Sequence, residues 1–313
     1  MIRMVLRASL ALALSLSACA GKPLAEPPPA RASSSAPSAP ASAPVVVAPA
    51  PAVAASYRNC GQGCKAFPGA IEAFDHVMAR PPRVLGVGEA HAQSAGPKVP
   101  STTRRFMDSL LPRLAPRAAD LVLEIWLANG SCGQVEQKVQ QQQKEVTAPQ
   151  AASNQNDFLE LGHRAKALGI MPRALVPTCE QYQKIASAGA DDIAEMLAMI
   201  KAVTLRDVTE LLSKRAPDRM IVAYGGAMHN DLVPRAGRED FSFGPELASA
   251  TGGSYVELDL IVPEQIKDTE TWRAQPWYGA YAAQKPTGEA YLLSWAEHAH
   301  ALIFPPTPAE AAP

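Results

Sequence analysis

The chain has 313 residues, 47% of them hydrophobic, and a formal net charge of −1. That composition belongs to a globular protein with room for one large or two small domains. Near-neutrality excludes the broad basic face that nucleic-acid binding requires, so no nucleic-acid partner is expected.

At the amino terminus, Arg3 and Arg7 precede an Ala/Leu-rich apolar run that stops at Leu16-Ser17-Ala18-Cys19. This is a secretory signal rather than a fold element. The last four residues resemble a bacterial lipobox, which implies cleavage before Cys19 and acylation of that cysteine; an ordinary signal peptide cut near Ala18 or Ala20 is the alternative. The expectation is a lipid-anchored protein of the cell envelope, at the outer membrane and facing the periplasm or the cell surface. From Ala20 to about Ala55 the chain is almost entirely Ala, Pro and Ser, a composition that forms an extended tether and buries no core. No later apolar run approaches the ~20 residues needed to span a bilayer. The chain thus divides into a signal peptide (1–18), a tether (19–56), a single α/β domain (57–305) and a short disordered tail (306–313).

Beyond Cys19 there remain Cys60, Cys64, Cys132 and Cys179. An even number in an oxidising compartment favours two disulfides, with three possible pairings. Cys60 with Cys64 closes a very short loop, so bonds from that segment to Cys132 and Cys179 are at least as plausible. Zinc on the Cys-x-x-x-Cys spacing is a minority reading in that location.

Within the folded part, Ala70 to Met78 has the pattern of a short amphipathic helix leading into a strand. Arg83-Val84-Leu85-Gly86-Val87-Gly88-Glu89-Ala90-His91 reads as a buried strand whose carboxyl end carries a carboxylate and an imidazole. A polar loop (Ala92 to Pro100) leads to a helix capped by Ser101 or Thr102 and ended or kinked by Pro112. Ala119 to Leu123 forms the next strand and runs into Glu124. Gln134 to Glu145, with four consecutive glutamines, reads as an exposed helical or irregular insertion. Phe158, Leu161, Ala165 and Leu168 mark a helix stopped by Gly169, and Ile170 to Val176 a short strand that Pro172 places towards an edge. Asp192 to Lys214 is the longest periodic segment, with a capping-box spacing at Asp192 and Glu195. Met220 to Tyr224 is a strand running into Gly225-Gly226-Ala227-Met228-His229, and Ser254 to Val262 alternates as a further strand. The segment from Trp272 to Phe304 has no assignable pattern. The fold class that follows is α/β, a mostly parallel sheet with flanking helices and a helical insertion.

Three predicted strands end in Glu89 and His91, in Glu124, and in His229. Ligands of open parallel sheets sit outside those ends. Two residues apart on an extended strand, Glu89 and His91 point to one face. Such a set suits a divalent metal (Mn, Fe, Co or Zn) on Glu89, His91 and His229. It equally suits metal-free activation of water, with one His or Glu as general base. Arg104 and Arg105, early in the helix after the first strand, are placed to bind an anionic substrate, and Asn230 and Asp231 to orient His229 or line the pocket. Dinucleotide binding is disfavoured because His91 stands where the third glycine of Gly-x-Gly-x-x-Gly would be, and no Gly-x-Ser-x-Gly elbow signals a serine hydrolase. His298 and His300 form an unsupported His-x-His pair.

Gly88-Glu89-Ala90-His91 after a strand, Glu124 ending the next, and Gly226-Ala227-Met228-His229 after a late strand resemble the pattern shared by erythromycin-esterase-like proteins, ChaN-like haem-binding lipoproteins and TraB/TIKI proteases. The resemblance spans roughly Arg83 to Asp231. It implies an α/β core with Glu89, His91, Glu124 and His229 in one pocket and an arginine partner from Arg104 or Arg105. It leaves the chemistry divided among water activation, metal-dependent proteolysis and haem binding, of which the lipid anchor is most like ChaN. A hydrolase of a small ester, amide or peptide bond is the leading expectation, and a haem or iron carrier using the histidines or Tyr224 the alternative. The ligand in either case is a small molecule or peptide.

Overall fold

A computed structural model describes residues 56–126, 128, 130–284 and 288–308. The signal peptide, Cys19 and most of the tether lie outside the described residues. In chain order the strands are β1 (Arg58–Gly61), β2 (Cys64–Phe67), β3 (Val84–Glu89), β4 (Ala118–Trp126), β5 (Met171–Leu175), β6 (Met220–Gly226), β7 (Tyr255–Ile261), β8 (Ala290–Ala296) and β9 (Ala299–Ile303). The helices are α1 (Ala70–Val77), α2 (Thr102–Arg105), α3 (Leu111–Leu114), α4 (Gln134–Thr147), α5 (Ser153–Ala167), α6 (Cys179–Ser187), α7 (Asp192–Lys214), α8 (Gly244–Ala250), α9 (Glu270–Arg273) and α10 (Tyr278–Ala282). Among the described residues no helix is long and apolar enough to cross a membrane.

The nine strands form one sheet in the order β1-β2-β8-β9-β7-β3-β6-β4-β5. From β9 to β5 the neighbours are parallel; β1, β2 and β8 extend one edge in antiparallel fashion. This is the expected mostly parallel α/β fold, with β3 and β6 in the middle. Side chains alternate across each strand. Leu85, Val87, Leu121, Leu123 and Tyr224 therefore join Phe74, Phe106 and Phe158 on one face. Val84, Val122, Ile221 and Ala223 meet Ile185, Ile200, Val203 and Leu247 on the other.

Several local expectations are refined. The helix after β3 is capped by Ser101, whose side chain accepts from Arg104 N–H. It then passes through a π turn at Phe106–Leu110 before α3. Pro112 lies in the first turn of α3, directly after the π turn. The glutamine-rich insertion is a regular helix, α4. β4 does not end before Glu124 but runs on to Trp126, and β5 is the edge strand that Pro172 suggested.

The capping box at Asp192 is not formed. The chain already winds as a 3₁₀ turn at Gly189–Asp191, so Asp192 enters α7 as an ordinary helical residue. Its carboxylate takes Gln142 Nε2 at 3.0 Å, while Glu195 pairs with Lys184. A capping box does form at Thr178 and Gln181, opening α6. The unassignable Trp-rich segment contributes β8 and β9. Among the described residues there are two disulfides, Cys60–Cys64 and Cys132–Cys179, so the short loop is closed after all. The tight β1–β2 hairpin sets the first pair side by side.

Candidate functional site

β3, β6 and β4 lie side by side, so their carboxyl ends open at one sheet edge. Glu89 leaves β3 on the face shared with Val87 and Tyr224, and it is buried. Its Oε1 accepts from His91 Nδ1 at 2.9 Å. Its Oε2 accepts the Thr103 hydroxyl at 2.7 Å and the Tyr224 hydroxyl at 2.5 Å. Burial first, then the charge of Glu89, raises the Tyr224 pKa well above its ordinary value, so the phenol remains a donor. Glu89 thus stands behind His91 and fixes the ring with Nε2 pointing away, the arrangement in which a carboxylate orients an imidazole.

Burial opposes a charge on His91, but the hydrogen bond to Glu89 and the charges of Glu89 and Glu124 outweigh it and raise its pKa to about 9. At neutral pH His91 is an imidazolium. Its ring packs edge-on to Phe158.

Glu124 leaves β4 on the opposite face, beside Val122. It lies over Gly225, where a Cβ would fall 2.2 Å from Glu124 Oε2 and 2.8 Å from Glu124 Cβ. Only glycine admits that approach. Glu124 Oε2 accepts Gly226 N–H at 2.6 Å, and Oε1 lies 3.8 Å from His229 Nε2. The turn carrying His229 is tied back to β3 by Ala227 N–H to the Glu89 carbonyl, 2.9 Å. His229 Nδ1 lies 2.7 Å from the Phe241 carbonyl, which can only accept, so Nδ1 carries the proton. In the neutral ring the Nε2 lone pair then faces Glu124.

The two pairs meet over Gly226. A Cβ there would lie 3.4 Å from His91 Nε2, 3.6 Å from Glu124 Oε2 and 3.9 Å from His229 Cδ2. A cavity of about 10 Å³ adjoins them, lined in part by Glu124, Gly225, Gly226, His229 and Thr204. It has the size of one water molecule. A larger cleft of about 350 Å³, also lined by His91, lies between the loop after β3 and the segment after β7 that carries Gln265, Lys267 and Trp272.

Of the remaining sequence candidates, Asn230 lines the small cavity, as expected of it, and the others are placed elsewhere. Arg104 is engaged by Glu160 (2.7 and 2.8 Å) and Asp157 (3.2 Å). Arg105 binds the Pro305 carbonyl, Thr307 and Glu264, and its guanidinium lies over Phe304. Both arginines clamp the structure rather than face the cleft. Asn230 is buried against Gly86 O and Asp259 and does not orient His229, a task that falls to Phe241 O. Asp231 joins Glu257 and Asp259 in a cluster whose ligand atoms lie within 4.8 Å of one another, a spacing open to a cation. Among the described residues it is the one such group of three. Glu89, His91 and His229 are not gathered as three ligands, because Glu89 sits behind the His91 ring. His300 bonds Ser294 at 2.7 Å, and burial, then His298, Lys65 and His76, lower its pKa to about 4.

Sequence reasoning missed Thr103, Gln265, Lys267 and Trp272, none of which carries a local signature. Glu257 and Asp259 had one: two acids spaced by two within an apolar strand.

No family model and no curated protein matches the chain. Two solved structures are similar to it. The type III effector HopBA1 is 10% identical, covers 75% of this chain and 92% of its own length, and gives a TM-score of 0.37. ChaN of Campylobacter jejuni, described with cofacially bound haem, is 11% identical, covers 60% of this chain and 85% of its own, also with a TM-score of 0.37. Both likenesses are distant.

Proposed function

We propose that the domain is a hydrolase of a small ester or amide that activates water without a metal. The observation that carries this reading is the pair of differently held imidazoles facing each other across Gly226. The Glu89 hydrogen bond and charge keep His91 protonated. His229 donates Nδ1–H to a carbonyl, which leaves Nε2 directed towards Glu124 as the candidate base.

In the step proposed, His229 Nε2 takes a proton from water beside Glu124, and the water oxygen bonds to the acyl carbon. The carbonyl electron pair moves onto its oxygen, next to the His91 imidazolium. When the intermediate collapses, the leaving oxygen or nitrogen takes the His91 proton. The products are an acid and an alcohol or amine, and exchange with solvent resets both histidines. Glu124 stabilises the imidazolium formed on His229.

The test is turnover of a panel of chromogenic esters and amides by wild type, His91→Ala and His229→Ala, with and without chelator, alongside metal analysis and an absorption spectrum. Turnover should survive chelation and fall about 10²–10⁴-fold in each variant, the range of general acid–base catalysis. Turnover abolished by chelation, with stoichiometric metal bound, would replace this chemistry with a metal-based one. A Soret band would move haem binding ahead. In that reading His91 is the accessible imidazole, since the Tyr224 hydroxyl is buried on Glu89.

We further propose that the enzyme is a cell-envelope lipoprotein anchored at Cys19. The two disulfides support an oxidising compartment. Labelling with a radioactive fatty acid should be lost in Cys19→Ala.

A further inference from the structure

The cleft beside His91 says more about the ligand than the catalytic pair does. It is built from the loop after β3 (Ala90, Ala92, Gln93, Gly96 and Pro97 besides His91) and from Gln265, Lys267 and Trp272 after β7. None of these is a carboxylate. At about 350 Å³ it has the size of small-molecule sites.

Of the acids nearest in sequence to Lys267, Glu264 and Asp268 are already engaged, while Glu270 is exposed in the first turn of α9 and makes no ion pair among the described residues. Glu264 accepts from Arg105 and Thr307, and Asp268 pairs with Arg273 at 2.6 Å and takes the Tyr278 hydroxyl. Lys267 makes no ion pair among the described residues. Gln265 Oε1 is buried and accepts no hydrogen bond from any protein group. A buried acceptor without a partner, on a residue that lines a cleft, is completed by a donor from water or from a ligand bound there. Trp272 offers a flat, half-buried wall.

We infer that the substrate is a small anionic acyl compound. Its carboxylate is met by Lys267, an N–H or O–H beside the acyl group is accepted by Gln265 Oε1, and an apolar or aromatic body lies on Trp272. N-acylated amino acids and the carboxyl ends of short peptides have this layout. This assignment rests on the hydrolase reading for the identity of the scissile bond; of the residues that line the cleft His91 belongs to the chemistry, whereas the three contacts assigned here, Lys267, Gln265 and Trp272, do not.

The two readings are tested separately. Binding is measured by calorimetry with hippurate and its methyl ester, which differ in the one charge, for wild type, Lys267→Gln and Gln265→Leu. Turnover is measured with hippuryl-phenyllactate and its methyl ester. Wild type should prefer hippurate, and Lys267→Gln should weaken it about tenfold while leaving the methyl ester unchanged, as loss of a charge-assisted contact requires. Gln265→Leu should weaken both. Added salt should narrow the gap between the two compounds, since Lys267 is exposed.

Equal affinity for the two probes, indifference of hippurate to Lys267→Gln, or no binding of hippurate at all overturns the assignment, whether or not esters are hydrolysed. Lys267-dependent binding without turnover of either ester upholds the anion site and removes the hydrolase reading instead.

Discussion

Glu89 and Glu124 each stand beside an imidazole, yet their other partners separate their roles. Glu89 has two hydroxyl donors on one oxygen and His91 on the other, and so sets the charge of that ring. Glu89→Gln keeps an acceptor for Nδ1 but removes the charge. The His91 pKa should then fall by more than about one unit from its value near 9, seen in an NMR titration. The alkaline limb of the pH–rate profile should move down with it. The same shift bears on stability. His91 titrates near 6.5 when unfolded and about 9 when folded, so its contribution is complete below about pH 6.5 and is lost as pH rises through 9. Glu124, by contrast, depends on bare backbone beneath it. In Gly225→Ala the new Cβ would fall on Glu124 Oε2 and Cβ, so the carboxylate must leave Gly226 N–H. Turnover should drop at least about tenfold, with a stability loss of about 1–3 kcal/mol in urea denaturation.

At the scale of elements, what could be read in the sequence was what is encoded locally. β3 and β6 were marked by continuous apolar runs ending in glycine, though β6 runs on to Gly226 rather than ending at Tyr224, and the grouping of Glu89 with His91 on one face follows from period two. α5 and α7 follow from helical period. β8 and β9 could not be read because they are short and are completed by distant partners, β2 and β7. The cleft residues Gln265, Lys267 and Trp272 were hidden for the same reason: the pairing of β7 with β3 carries the segment after β7 to His91. Nor does spacing distinguish a cationic residue that faces a ligand from one that clamps the fold, as Arg104 and Arg105 do. The disulfides differ in what they tie. Cys132–Cys179 joins the turn before α4 to the first residue of α6 across 47 positions, whereas Cys60–Cys64 spans four. Loop entropy gives upper values of about 4 and 2 kcal/mol respectively. The Cys132→Ser/Cys179→Ser variant should therefore lose more stability than Cys60→Ser/Cys64→Ser in matched denaturation curves.

For the molecule as a whole, the cluster of Asp231, Glu257 and Asp259 sets a pH dependence. Burial, then neighbouring carboxylates, raises Glu257 to about 9 and Asp231 to about 7 against the opposing pull of Leu232 N–H on the first and of Arg235 and Arg238 on the second. Burial raises Asp259 to about 6 against its bond from Asn230. The folded chain holds protons that the unfolded chain releases near pH 4, so this part of the stability is complete below about pH 4 and is lost as pH rises through 6 to 9. Glu257→Gln keeps an acceptor for Leu232 N–H. It should match wild type near pH 5 and exceed it by about 1–3 kcal/mol at pH 9, measured by urea denaturation. The strand order carries a further consequence, for the sequence of events in folding. β2 reaches the sheet only through β8, and β8 only through β9, so the hairpin Arg58–Phe67 has no docking edge until Ala290–Ile303 is in place. β1 and β2, the earliest of the described strands to leave the ribosome, are thus the last of them to be enclosed. A chain cut short before Ala290 would leave both that hairpin and the flank of β7 as unpaired edges, open to pairing with other chains.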